Sequence, residues 1–157
     1  MRKLAILTIA SIFLMSCGGD KAKNEQDFSK PDAEETAASP SDYDPKRGEG
    51  KYDKVDLGAS LDQAMADKGE DVAGVKCLSC HKVTDEKLVG PGWKGVTERR
   101  RPEWVMNFIT NPDPMIDKDP EVQAQLEICL VRMPNQGLND EEARNILEYM
   151  RKIDGVK

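Results

Sequence analysis

The chain has 157 residues, enough for one ordinary domain, with 38% apolar, 33% charged and only 5% aromatic side chains. Twenty-nine acidic against 23 basic residues give a formal net charge of −6, which excludes a basic nucleic-acid binder. The single continuous apolar stretch lies at the extreme N-terminus, so a multi-pass membrane protein is excluded; with so few core-filling side chains, either part of the chain is unfolded or something else fills the core.

Residues 1–16, MRKLAILTIASIFLMS, begin with Arg2 and Lys3 and run apolar from Leu4 to Met15. The run is short of the roughly 20 residues a spanning helix needs and has the proportions of an export signal. Its end, Leu14-Met15-Ser16-Cys17, resembles a bacterial lipobox. That resemblance implies cleavage before Cys17, lipidation of Cys17, and an exported protein anchored to a bacterial membrane and facing the periplasm. Two or more acyl chains hold a protein on a membrane stably, whereas one is marginal. From Gly18 to about Ala59 the chain is rich in Lys, Glu, Asp, Ser and Pro and shows no apolar periodicity. Residues 17–59 are therefore expected to form the lipid anchor and a disordered linker, with a reach of roughly 35 Å. The folded domain is expected over 60–157.

Within that domain the pattern is helical. Ser60 and Gln63 read as a capping box for a first helix with Leu61, Ala64, Met65 and Val72 on one face. A second helix is predicted from Pro102, where a missing N–H costs nothing, with Trp104, Val105, Phe108 and Ile109 on one side and Asn111-Pro112 as its stop. A third starts at Asp119-Pro120 and is predicted to bury Val122, Leu126, Cys129 and Leu130. The last is capped by Asn139, boxed by Glu142, lined by Ala143, Ile146, Leu147, Met150 and Ile153, and followed by Gly155. No hairpin signal occurs, so the fold class is all-α. Long loops at 82–101 and 111–118 need something to wrap around, and a large apolar cofactor meets that need and the shortage of core together.

Cys77-Leu78-Ser79-Cys80-His81 carries the chemistry. C-x-x-C-H is the attachment sequence of c-type haem: two thiols form thioethers to the vinyl groups, and the adjacent imidazole lies under the iron as proximal ligand. A thioredoxin-like site needs a βαβ pattern that is absent. A structural zinc site needs four ligands, while His81 is the sole histidine and Cys129 is remote in sequence.

From about 60 to 155 the chain resembles class I monohaem cytochromes c: a helix before C-x-x-C-H, then Gly90-Pro91-Gly92-Trp93-Lys94-Gly95-Val96, a middle helix, Met133-Pro134 and a terminal helix. The resemblance implies about four helices around one covalent haem c. It also implies a Pro91 carbonyl accepting a hydrogen bond from His81, a bond that fixes the tautomer and raises ligand basicity. It places Trp104 against a haem propionate, or simply in the core. Gly69 takes the close-crossing position on the first helix. Ala73 stands where the family usually has an aromatic residue, so Met65, Val72 or Tyr149 must compensate.

Because His81 is the sole histidine, the opposite face of the iron falls to Met, Cys, Lys, Tyr, an amine or water. Methionine is the usual partner in electron-transfer cytochromes. Met65, Met106 and Met150 sit on helices as packing residues, which leaves Met133, in the family's ligand position, and Met115, in Asn-Pro-Asp-Pro-Met, as runner-up. Arg99-Arg100-Arg101 reads either as a solvated charge run or as a counter-charge for propionates or an acidic partner. Cys129 reads as a small buried hydrophobe, or else as a thiolate ligand or redox switch.

The resemblance implies an electron carrier rather than an enzyme. Its partners would be a quinol-oxidising complex upstream and a terminal reductase or oxidase downstream. The stretch Gly95–Pro120 is similar to small cytochromes of nitrogen-oxide respiration, nitrous oxide reduction in particular. The alternative is a haem enzyme or gas sensor whose sixth ligand is absent or displaceable.

Overall fold

The structure, a computed structural model, describes residues 43–157. The expected signal sequence at 1–16, the expected lipidation site Cys17 and the expected linker as far as 42 lie outside the described residues. Among those described there are six helices and no strand: α1 Gln63–Lys76, α2 Val96–Arg99, α3 Pro102–Thr110, α4 Pro112–Lys118, α5 Pro120–Cys129 and α6 Asp140–Ile153. The all-α expectation holds, with two short helices added.

The frame is the crossing of α1 with α6. α1 is capped by Asp62, whose side chain accepts from Met65 N, and not by the predicted Ser60. Its inward face is Ala66, Gly69 and Ala73, while Ala64 is exposed and Met65 and Val72 are half-buried. Small residues win that face because the helices nearly touch: a Cβ on Gly69 would lie 2.0 Å from the Asn145 carbonyl oxygen. Of the side chains expected to compensate for Ala73, Tyr149 is the buried one, edge-on to Trp93 with ring centroids 6.4 Å apart. α6 begins as predicted, with Asn139 and Glu142 forming a reciprocal capping box, and buries Ala143, Ile146, Leu147 and Met150.

α3 starts at Pro102 and buries Trp104, Val105, Met106 and Ile109. The predicted loop 111–118 is instead α4. Its prolines occupy the first turn, where backbone N–H groups have no helical partner to lose. α5 is capped by Asp119, which accepts from Glu121 N and Val122 N. Of its predicted buried residues only Val122 is enclosed; Leu126 and Cys129 are half-buried, and Leu130 is an exposed C-cap in the left-handed region at φ 60°. The helix that α5 packs against most is α4, which precedes it in the chain.

The expected boundary at residue 60 falls too late, because residues 43–59 lie as an irregular strap on the helices. Buried side chains satisfy the strap's backbone in place of a β-ladder. Asn107 Nδ2 donates to the carbonyls of Arg47 (3.1 Å) and Tyr52 (3.0 Å), and its Oδ1 accepts from Tyr52 N (2.8 Å). Glu103 accepts from Val55 N at 3.0 Å, and Arg151 donates to the Gly58 carbonyl at 2.7 Å. Gly48 and Gly50 allow close approach: a Cβ on Gly48 would lie 2.5 Å from Met115 Sδ, and one on Gly50 2.3 Å from Asn107 Oδ1.

Candidate cofactor site

The site grows from the end of α1. Cys77 caps the helix, donating its N–H to Ala73 O at 2.8 Å, and the chain then turns so that Cys80 N and His81 N both donate to Cys77 O (3.0 and 3.1 Å). One turn thereby brings both thiols and the imidazole together. Cys77 is buried, Cys80 is half-buried, and both thiols are free. Burial pushes the Cys77 thiol up to about 11.

The following loop folds back on this turn. Val89 N and Gly90 N donate to Cys80 O (3.1 and 2.9 Å), and Trp93 N donates to Lys82 O (2.9 Å). His81 Nδ1 lies 2.8 Å from the Pro91 carbonyl oxygen. A carbonyl only accepts, so Nδ1 carries the proton and Nε2 keeps its lone pair for a metal. Gly90 lies flat against the ring, where a Cβ would stand 2.4 Å from Cε1 and 3.0 Å from Nε2. Trp93 packs beside it, ring centroids 5.7 Å apart. Asp154, just past α6, ties the loop down by accepting from Gly95 N (2.5 Å), Thr97 N (2.9 Å) and Thr97 Oγ1 (2.6 Å).

Besides Val75 on α1, exposed apolar side chains gather on two segments: Leu88 and Val89 after the attachment turn, and Ile128, Leu130 and Val131 at the end of α5. Lys87 Nζ joins the segments by donating to the Ile128 carbonyl at 2.9 Å. Two free thiols, a histidine with Nε2 available and flanking apolar side chains are the donor set and the surroundings that a covalently held porphyrin requires.

The profile of the cytochrome c family matches residues 66–154. The chain belongs to the cytochrome c family. Its haem is therefore the covalently attached c type, and its function is haem-based electron transfer. Among solved structures, cytochrome c from Rhodothermus marinus is 36% identical, with a TM-score of 0.64 over 67% of this chain and 90% of that one. An engineered variant of that cytochrome is similar at 35% identity and TM-score 0.64, with the same coverage. Another structure of the engineered cytochrome, bound to a carbene intermediate, is 35% identical with TM-score 0.61, again covering 67% and 90%. No curated protein matches the chain.

The predicted residues are not all gathered in one place. Cys77, Cys80, His81 and Pro91 form one unit in this cytochrome. Met133 is half-buried in the segment between α5 and α6, packed at the margin of the core, and no hydrogen bond among the described residues engages its sulfur. Met115 is fully enclosed, and its Sδ accepts from Glu49 N at 2.9 Å. Of the two readings of Trp104, the described structure shows the core one: its one N–H goes to Asp119 Oδ2 at 2.9 Å, inside the fold. The arginines have contacts within the molecule, although Arg99 and Arg101 remain exposed. Arg99 donates to Lys94 O (2.9 Å), Arg100 stacks 4.2 Å over the Trp104 ring and pairs with Glu121 (2.5 Å), and Arg101 lies 3.3 Å from Glu103. Cys129 is half-buried and unpaired.

Asp119 went unrecognised in the sequence as anything beyond a helix cap. Its carboxylate also takes the hydroxyl of Tyr43. Burial by itself would raise its pKa, but hydrogen bonds from Tyr43, Trp104, Val122 and Glu121 outweigh that and hold it below the ordinary carboxylate range. Asn107 was missed as well, although a polar residue among the apolar positions of α3 was its signal.

Proposed function

We propose that this cytochrome is a lipid-anchored single-electron shuttle whose iron is held by His81 and Met133. The observation that carries the ligand assignment is the contrast between two methionines: Met115 has its sulfur engaged in the core by Glu49, whereas the Met133 sulfur is unengaged in a loop. When bound, the haem supplies an iron centre that cycles between Fe(III) and Fe(II). The polypeptide fixes the ligands, excludes water from the covered side and leaves an apolar margin through which partners approach. With both axial positions taken by protein, no site is left for substrate.

Cys17 would carry the lipid, keeping the domain at a periplasm-facing membrane where a quinol-oxidising complex supplies electrons. A terminal oxidase or a nitrogen-oxide reductase, such as one for nitrous oxide, would consume them. Tethering raises the effective concentration of such partners without any new contact. The rival, a displaceable sixth ligand, draws support from the carbene-bound engineered relative. An absorption spectrum decides between them. Low-spin ferric iron with the weak methionine-to-iron charge-transfer band, abolished in Met133→Ala, supports the shuttle; high-spin iron that readily takes carbon monoxide when reduced, or a band that survives Met133→Ala, refutes the assignment. Cys17→Ser is expected to release the protein from membranes into the soluble fraction.

A further inference from the structure

Segment 130–138, which carries Met133, has no regular structure of its own. Its clearest tie to the fold is the neighbouring residue. Arg132 Nε donates to Asp113 Oδ1 at 2.9 Å, while Nη2 donates to Asp117 Oδ1 at 2.9 Å and to the Asp113 carbonyl at 3.3 Å. Asp113 and Asp117 are four residues apart, so they share one face of α4, and a single guanidinium spans both.

The other face of α4 is gripped by the strap. Met115 is fully buried there, its sulfur accepting the Glu49 N–H, with Gly48 pressed against it. Lys118 Nζ adds an ion pair to Glu49 at 3.0 Å. At the junction with α5, Asp119 takes the Tyr43 hydroxyl. α4 has only seven residues, too few to be stable alone, so these contacts decide where it sits.

We propose that Arg132, Asp113 and Asp117 are positioning residues for Met133, and that the strap, acting through Met115, is the far anchor of the axial ligand. The chain of contacts runs from Glu49 to Met115, across α4 to its two aspartates, and through Arg132 to the neighbouring methionine. Strain or loss at any link frees the segment that must hold sulfur against iron. The inference rests on the assignment of Met133 as axial ligand.

Imidazole added to the ferric, haem-loaded full chain competes with methionine for the iron, so its affinity reports how firmly Met133 is held. These ion pairs are exposed and solvent-screened, so the expected gain in imidazole affinity for Arg132→Gln is modest, roughly 5-fold. Arg132→Lys keeps one pairing and should stay within about twofold of wild type. The double variant Asp113→Asn/Asp117→Asn shifts the net charge the opposite way yet should raise imidazole affinity as well. Gly48→Ala, at φ +75° with its new Cβ driven onto Met115, should do the same from the strap end. As a second readout, proteolysis should quicken within 130–138 and not within α6.

If Arg132→Gln and the double aspartate variant both leave affinity within about twofold and proteolysis unchanged, the positioning role is overturned. Opposite shifts from the two also overturn it, since net charge then explains the effect. A wild-type protein lacking the methionine band overturns the axial assignment itself, and the positioning role falls with it.

Discussion

Gly90→Ala tests the geometry beneath His81 most directly. A Cβ at this position would lie 2.4 Å from Cε1, 2.8 Å from Nδ1 and 3.0 Å from Nε2 of the imidazole. To regain van der Waals separation the ring must withdraw by about 1 Å. The Nδ1–H···O=C bond to Pro91, 2.8 Å long, then stretches beyond hydrogen-bonding range. Overpacking costs about 1–3 kcal/mol and the lost bond about 0.5–1.5 kcal/mol, so the haem-loaded protein should lose roughly 2–4 kcal/mol in denaturant unfolding. The reduction potential should also rise, because an imidazole without its acceptor is less basic and stabilises Fe(III) less. Pro91→Ala is the control: it keeps the carbonyl, so the potential should hold while stability falls by about 0.4–1 kcal/mol through added freedom of the unfolded loop. A Gly90→Ala protein with wild-type stability and potential would refute the proposition that this glycine seats the ligand.

Asn107→Ala should cost about 3 kcal/mol in denaturant unfolding, because three backbone groups of the strap lose their partner at once, and proteolysis within 43–59 should accelerate. Asp119→Asn should destabilise at neutral pH, with a difference from wild type that narrows on acidification. The folded pKa is depressed, so the carboxylate's contribution is complete above about pH 4 and is lost as the pH falls through the folded value; unfolding curves collected down the acid range check this. Gly69→Val should separate α1 from α6 and lower the thermal midpoint sharply, by well over the few degrees expected of a surface change, as scanning calorimetry would record.

What could be read ahead of the structure was whatever is encoded locally. The attachment motif is five consecutive residues, and the starts of α3, α5 and α6 are announced by Pro102, by Asp119-Pro120 and by the Asn139/Glu142 pair, each acting within one turn. Asn-Pro-Asp-Pro-Met reads as a turn because prolines usually break helices, yet both fall in the first turn of α4, where they are tolerated. The strap escaped because nothing in its own composition orders it. Its backbone is organised by Glu103, Asn107 and Arg151, residues 48 to 93 positions away in sequence, and such polar pairing leaves no periodicity to detect. The fate of Trp104 turned on the same cause, since its N–H goes to a carboxylate fixed by tertiary structure.

The depth of Cys77 has a consequence for how the protein matures. Only 9% of that residue is accessible in the folded chain, and burial there pushes its free thiol up to about 11, away from the reactive thiolate. If Cys77 carries a thioether, a vinyl carbon must meet its sulfur while the chain is still open. Asp154, whose carboxylate shuts the loop beside the attachment turn, is synthesised more than 70 residues after Cys77. Ligation comes first and closure second, and the pigment is a template for the polypeptide as much as its passenger.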